Sequence, residues 1–545
     1  MQHKLWVMAF VCAWIVGGCE SDCPGGDPPT TTAGRNTGDD DAMDDEEADE
    51  DAEPDEDQEG ADGTEMNDMA GADDSDAVEA DDDAAKTSDM AATEAPPADA
   101  ANTATTRAHD ERTFNFDADM QAPFAAIEGV DTDRWSGTLD GAGYRIEVPR
   151  EFNGTLVMYA HGYAGTGEAL RVGVPPIRKH LIEQGFAWAA SSYRANYYDV
   201  RAGVEDTNQL ALAVEDIAAD NDRTIDIKKY YIIGHSMGGH ISGAAVEQET
   251  IATAQHPVEY DAALPMCGVM GDTELFNYFK AYEVAAHQLA DMPETEEGFE
   301  DYEATKMQVQ STLFSEFPLM PTPAGDSLKA VVINLSGGER PVFEQGWANG
   351  IHAQVWATFG GDGTINGILA ASVLDTRDIV YQFDNDPKLS SEEEDFNDKA
   401  FRAVPDAGAN GLRDDGLRWI PAVRGEFSIP VITLHTLGDL YVPFSMQQIY
   451  RRRAEERGSS DNLVQRAIRG GGHCEFTYAE QVEAFDALVA WEEDGVKPDG
   501  DDVLDPELVA DPAYGCAYTR PPGDDDSPTT SQARSVVPEC PTVDP

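Results

Sequence analysis

The stretch KKYYIIGHSMGGHISGAAVEQE, residues 228–249, constrains the chain more than any other. An apolar, β-branched run leads straight into GHSMGG, and a run of small residues with helical character follows it. Gly-x-Ser-x-Gly arises easily by chance in a chain with 49 glycines, so its meaning rests on this context. A strand that turns sharply into a helix needs glycine on either side of the turn, because a side chain there would collide with the neighbouring backbone. The residue at the apex, Ser236, is then lifted clear of the sheet as a strand–elbow–helix nucleophile. The helix N-terminus just beyond it favours developing negative charge. The rival reading is a tight turn that carries a serine for its size alone.

The segments around the elbow alternate in period. WSGTLDGAGYRIEVP holds two alternating runs separated by DGAG, the pattern of a β-hairpin. TLVMYAHGY and AWAASSY are short continuous apolar runs bounded by turn signals, as buried parallel strands require. VPPIRKHLIEQG and VEDTNQLALAVEDIAAD have helical spacing. YDAALPMCGVMG, IPVITLHTLGDLYVP and LVQRAIRGGGHCEF supply three more strands, and YAEQVEAFDALVAWEEDG a closing amphipathic helix. Strand and helix alternate, so the expected class is α/β with a mostly parallel sheet and helices on both faces.

A serine hydroxyl is a poor nucleophile without a base, and the base needs a carboxylate to orient it. In a sheet of this kind the acid follows a late strand and the histidine follows the last one. Asp439 stands just past the strand in LHTLGDLYVP, and His473 just past the last strand in GGGHCEF. Asp439 is also an ordinary turn residue, and Asp375 and Asp378 compete if the strands are counted differently. YAHGYAG, after an early strand, resembles a His-Gly oxyanion loop, so the N–H groups of Tyr163 and Met237 are the expected pair of donors. His161 is read as holding that loop, and His235, His240 and His435 as packing or hydrogen-bonding residues.

Oxyanion loop, elbow, acid and histidine, in this order along the chain, resemble the α/β-hydrolase superfamily from about Trp135 to Trp491. LHTLGDLYVPFSMQQIY with GHCEFTYAEQVEAF is similar to the C-terminal part of secreted bacterial esterases and peptidases of that fold. The resemblance implies Ser236 as nucleophile, Asp439 as orienting acid and His473 as base, with carboxylic ester cleavage as the expected activity. A peptidase or amidase uses the same triad, and a non-catalytic binding lipoprotein on this scaffold is a third reading. The core is expected in two parts, 113–271 and 426–495, separated by a cap or lid insertion over 272–425. LFNYFKAYEVAAHQLA and YEATKMQVQSTLFSEF in the insertion have helical spacing. WANGIHAQVWATFGGDGTINGILAAS reads as extended and aromatic, either lining an apolar substrate pocket or forming the cap's own core.

The ends differ from the middle. Residues 1–19 carry His3 and Lys4, an apolar run Leu5–Val16 and then GGC, the layout of a secretory signal and too short for a comfortable membrane span. VGGC resembles a bacterial lipobox, which implies acylation of Cys19, with a plain cleaved signal or an uncleaved anchor as alternatives. Export to the outer membrane or cell surface through a lipid anchor, or else secretion, follows from that reading. Residues 20–112 hold almost no large apolar side chain. Within them, 39–100 have 28 acidic residues against one basic, Lys86. Such a stretch cannot offset the entropy of folding and reads as a self-repelling acidic tether or solubilising tail. A net charge of −69, acidic over the folded part as well, disfavours nucleic acid as a partner, since phosphate binding needs clustered Lys and Arg that are absent here.

No metal or cofactor is expected, because no His, Cys or carboxylate run has the spacing of a zinc or EF-hand site. DNDPKLSSEEEDFND reads as a solvated acidic loop, with a surface calcium as the rival. An exported chain bridges its cysteines. Cys267, after the strand that follows the elbow, and Cys474, beside His473, are expected at one edge of the sheet and paired. Cys516 with Cys540 would then pin the C-terminal tail, 496–545. Cys474 with Cys516 is the competing bridge.

Overall fold

The computed structural model describes residues 112–116, 124–361, 369 and 371–541. All of them fall in the compact unit Ser88–Pro545. The expected leader with Cys19, and the acidic stretch up to residue 111, lie outside the described residues.

Eight strands build the central sheet: β1 (Thr132–Leu139), β2 (Ala142–Pro149), β3 (Thr155–Ala160), β4 (Ala187–Ser191), β5 (Lys229–His235), β6 (Ala262–Met266), β7 (Val431–Thr436) and β8 (Leu463–Ile468). Their order across the sheet is β1-β2-β4-β3-β5-β6-β7-β8. β2 runs antiparallel to both its neighbours, and every other pairing is parallel. This is the α/β-hydrolase fold. The hairpin turn is tighter than the sequence suggested. Asp140 and Gly141 alone make it, at φ 45° and 90°, and Ala142 already pairs with Leu139. Two positive-φ residues match the twist of the flanking strands, so Ala142 and Gly143 return to the ladder.

The parallel strands are apolar throughout because both faces are covered. Along β3, Leu156, Met158 and Ala160 point into one core, under α2 (Val200–Asp220) and α3 (Met237–Ala245). Val157 and Tyr159 point into the other, under α1 (Arg178–Glu183) and α12 (Tyr478–Asp494). The chain leaves β3 for β4 on one side and returns as β5 on the other. The C-terminal ends of β3 and β5 therefore flank the crossing point where open α/β sheets place their sites.

α4 (Gln248–Thr253) lies between α3 and β6, and α11 (Ser445–Arg457) between β7 and β8. Between β6 and β7 the chain makes α5 (Glu274–Leu289), α6 (Tyr302–Leu313), α7 (Pro323–Leu335), α8 (Phe343–Ala348), α9 (Ala353–Trp356) and α10 (Ser391–Lys399). Three expectations change here. The second half of DNDPKLSSEEEDFND is not a solvated loop but α10, started by a Ser390–Glu393 capping box and seated by buried Phe396. The end of YEATKMQVQSTLFSEF is extended, with Phe314–Glu316 pairing antiparallel to Met320–Pro321. WANGIHAQVWATF is not extended; it holds the end of α8 and all of α9, because a short aromatic run has no period that separates strand from helix. Its aromatics are buried against one another. Trp347 stacks on His352 at 4.0 Å and Trp356 lies 4.6 Å from Phe359, with Phe314 and Tyr282 around them. They pack on other side chains of the insertion and are continuous with the core under α2 and α3. Within the full stretch to Ser372, 362–368 and 370 lie outside the described residues.

The C-terminal segment is packed rather than trailing. Asp501 N–H donates to Gln465 O at 2.7 Å, and Ala467 N–H donates to the Asp501 carboxylate at 2.7 Å, which covers the edge of β8. Val503, Val509 and Tyr514 then bury against Leu437, Phe444 and Ala467. Two short helices follow, α13 (Pro506–Val509) and α14 (Pro528–Arg534). Among the described residues no helix is long and apolar enough to cross a membrane.

Candidate active site

β5 ends at His235, α3 begins at Met237, and Ser236 between them holds φ 58° and ψ −120°. That region costs an L residue roughly 1–3 kcal/mol and persists only where its surroundings enforce it. The glycines supply the enforcement. A Cβ on Gly234 would lie 2.1 Å from Gly238 O, and one on Gly238 would lie 2.0 Å from Ala160 O. Only glycine allows α3 to sit this close behind β3 and β5.

Ser236, Asp439 and His473 meet at the ends of β5, β7 and β8. Ser236 Oγ donates to His473 Nε2 at 2.8 Å, and His473 Nδ1 donates to Asp439 Oδ2 at 2.5 Å. The Asp439 side chain is fully buried, and its Oδ1 accepts from the N–H groups of Tyr441 and Val442, each at 3.0 Å. The carboxylate is thus held at both oxygens, one by the loop and one by the imidazole. Asp375 is tied instead to Arg377 at 2.5 Å, and Asp378 is exposed.

The loop after β3 lies against the serine. A Cβ on Gly162 would stand 3.3 Å from Ser236 Cβ and 3.8 Å from its Oγ. Tyr163 follows directly and is half-buried, and burial pushes its phenol up to about 12. His161 fastens this loop. Its Nδ1 bonds Gly162 O at 2.7 Å, its ring stacks on Tyr193 at 4.2 Å, and the Tyr193 hydroxyl donates to His161 O. Met237 opens α3 and is buried.

The other nearby histidines have structural partners. His235 Nε2 bonds Gln481 at 3.0 Å. His240 bridges the Tyr198 hydroxyl and Pro421 O at 2.9 and 2.8 Å. His435 bonds Val442 O at 2.8 Å and so braces the Asp439 loop. Burial depresses all three to about 4, so they are neutral at pH 7.

Two residues of the site carry no sequence signal. Arg340, from the insertion, is buried and donates to Leu437 O at 2.7 Å, to Gly338 O at 2.8 Å and to Ser336 Oγ at 3.1 Å. Burial lowers its guanidinium to about 10. It ties the insertion to the loop that bears Asp439. Tyr441 sets its ring edge-on to His473 at 5.8 Å and stacks on Phe279 of α5 at 5.5 Å. Neither contact is local, so no spacing announced it.

The disulfides are Cys267–Cys474, with Cα atoms 5.2 Å apart, and Cys516–Cys540, at 5.9 Å. The first sets Cys474 Sγ 3.4 Å from His473 Nε2. Among the described residues one group brings metal-binding side chains together: Glu283 and His287 of α5 with Glu294, their ligand atoms within 4.8 Å of one another. The i,i+4 spacing of Glu283 and His287 was the signal for it. Lys280 Nζ bonds Glu294 at 2.6 Å and Glu283 at 3.2 Å, so an ammonium already sits among the carboxylates.

No family model matches the chain. The o-phthalyl amidase of Xanthobacter agilis is 22% identical over 432 residues, which cover 68% of this chain and 89% of the relative. Feruloyl esterase B from Aspergillus oryzae aligns at a TM-score of 0.35 and 12% identity, over 69% of this chain and 84% of its own. The Pyrococcus horikoshii acylaminoacyl peptidase aligns at 0.33 and 10%, over 69% of this chain and 44% of the peptidase.

Proposed function

We propose that this protein is a serine hydrolase that cleaves a carboxylic ester through an acyl-enzyme. The observation that carries the reading is the unbroken relay from Ser236 through His473 to buried Asp439. As Ser236 Oγ bonds to the acyl carbon, its proton passes to His473 Nε2, and the carbonyl electron pair moves onto oxygen. That oxyanion takes the N–H groups of Tyr163 and Met237 as donors. Collapse of the intermediate breaks the bond to the leaving group, which departs with the Nε2 proton. Water then repeats the sequence on the acyl-enzyme with His473 as base, releasing the acid and restoring Ser236. Asp439 stays ionised throughout and stabilises the imidazolium. Tyr441, edge-on to His473 and stacked on Phe279, favours a substrate with an apolar part.

An amide substrate is the second reading, favoured by the amidase among the relatives. It needs the same steps, with His473 protonating an amine. A fluorophosphonate probe tests the common ground: labelling of Ser236 is expected, and an unlabelled protein overturns both readings. Paired esters and amides of one acyl group then separate the two by kcat/KM.

The leader reading stays part of the proposal: export, with Cys19 acylated and the acidic stretch as tether. The two disulfides favour an oxidising compartment. Cys19→Ser is expected to release the full chain from the membrane fraction, and unchanged fractionation would refute the anchor.

A further inference from the structure

Beyond α12, one buried guanidinium has no part in the steps above. Arg534 ends α14 and is only 8% exposed. Its Nη1 donates to Arg469 O at 2.9 Å, while its Nε and Nη2 donate to Glu475 O at 3.1 and 2.7 Å. Those two carbonyls open and close the loop Arg469-Gly-Gly-Gly-His-Cys-Glu475, which carries His473. The same guanidinium pairs with the carboxylates of Glu475 at 3.2 Å and Glu480 at 2.6 Å. Glu480 in turn accepts from Thr477 N–H in the capping box that starts α12.

The loop grips back. Arg469 Nη1 donates to Pro512 O at 2.8 Å and Tyr514 O at 3.2 Å, and its Nη2 reaches Pro538 O at 3.4 Å. Its backbone N–H donates to Thr519 Oγ1 at 2.9 Å. Cys516–Cys540 closes the chain between these contacts. Two arginines, one from the loop and one from the C-terminal segment, therefore clasp the two together.

We propose that Arg534 is a positioning residue for His473, which makes the C-terminal segment a working part of the site. The inference rests on the reading of His473 as general base. Three consecutive glycines precede His473, and glycine leaves a loop with the most backbone freedom to lose. All three pack closely, and Gly470 has the least room, since a Cβ there would lie 2.7 Å from Thr436 Cγ2 and 2.9 Å from Glu475 O. They also leave the loop with few side-chain anchors. Charge-assisted bonds from a planar fork supply anchors at both ends. A base displaced by about 1 Å loses on the order of a hundredfold in rate.

The test uses the full chain carrying Arg534→Gln, Arg534→Lys, or Arg534→Gln with Glu480→Gln. The double variant avoids leaving a buried carboxylate unpaired, and Arg534→Lys carries the comparison if neither glutamine variant folds. With an ester substrate, kcat and the rate of fluorophosphonate labelling are expected to fall roughly ten- to hundredfold while KM stays within about twofold. Hydrogen exchange is expected to quicken over 469–476 and not over β5 or α3. A folded variant with kcat and labelling within about twofold of the parent, or a loss that falls on KM alone, overturns the proposal. If the parent itself shows neither labelling nor turnover, the hydrolase reading fails and exchange decides alone: local quickening supports the clasp and unchanged exchange refutes it.

Discussion

Asp439→Asn isolates what the buried acid does, because the structure dictates how the new amide must sit. Asp439 Oδ1 accepts two backbone N–H groups, from Tyr441 and Val442, and Oδ2 faces His473 Nδ1. In asparagine only the carbonyl oxygen accepts, so it must turn toward the two loop donors, and the NH₂ group faces His473. That forces Nδ1 to accept and places the imidazole proton on Nε2. A protonated Nε2 cannot take the Ser236 proton. The loop keeps its bonds, so the melting temperature is expected to stay close to the parent, while kcat falls on the order of 10⁴-fold, the size of a tautomer error in such a triad. Asp439→Ala makes the contrast. It strips the two N–H groups of their acceptor, which costs roughly 1–3 kcal/mol of stability for each buried group left unpaired. The assays are ester turnover, calorimetry and ¹⁵N shifts of the His473 ring. An asparagine variant within about tenfold of parental kcat would refute the argument, as would a ring that keeps its proton on Nδ1.

Ser236→Ala is expected to lower kcat by roughly 10⁴- to 10⁶-fold without unfolding the chain, and near-parental turnover would reject the nucleophile. Burial makes two groups respond to acid with opposite sign. His240 has a folded pKa of about 4 against 6.5 unfolded, so its contribution is present above pH 6.5 and lost as pH falls toward 4. Glu247 has about 7 against 4.5, so its contribution is present below pH 4.5 and lost as pH rises through 7. Going from pH 7 to 5, the destabilisation caused by His240→Gln is expected to shrink by about 2 kcal/mol, and that of Glu247→Gln to grow by about 2 kcal/mol, in denaturant titrations. Parallel shifts would contradict both. Removing residues 1–111 is expected to leave kcat and melting temperature unchanged. Starting at Thr113 loses stability, because Arg112 bonds the Tyr197 hydroxyl at 2.7 Å and Thr166 O at 3.1 Å. Equal stability of the two truncations would show those bonds to be idle.

The parts of this protein that were legible in its sequence are those whose cause is local. The elbow could be read because its glycines are demanded by backbone contacts within a few residues or with the adjacent strand. The strands could be read because burial on two faces leaves a continuous apolar run, and the triad because its members sit at the ends of those strands. Cys267 and Cys474 follow from the same logic, each standing just past a strand at one edge. Arg340, Tyr441 and Arg534 follow from nothing local. Each acts on a loop 97 residues away (Arg340 to Leu437), or 65 residues away (Arg534 to Arg469), or across to α5 in the insertion. What a lone arginine does depends on which carbonyls the docked segment presents, and that is settled only when two remote pieces pack. WANGIHAQVWATF failed for a related reason: its aromatics bury against Phe314 and Tyr282, so tertiary packing overrode a pattern too short to have a period. The consequence for the site is specific. The three side chains proposed to do the chemistry stand at strand ends, but the loops that carry Asp439 and His473 are tied to the insertion through Arg340 and to the C-terminal segment through Arg534, the two regions whose sequences say least about it.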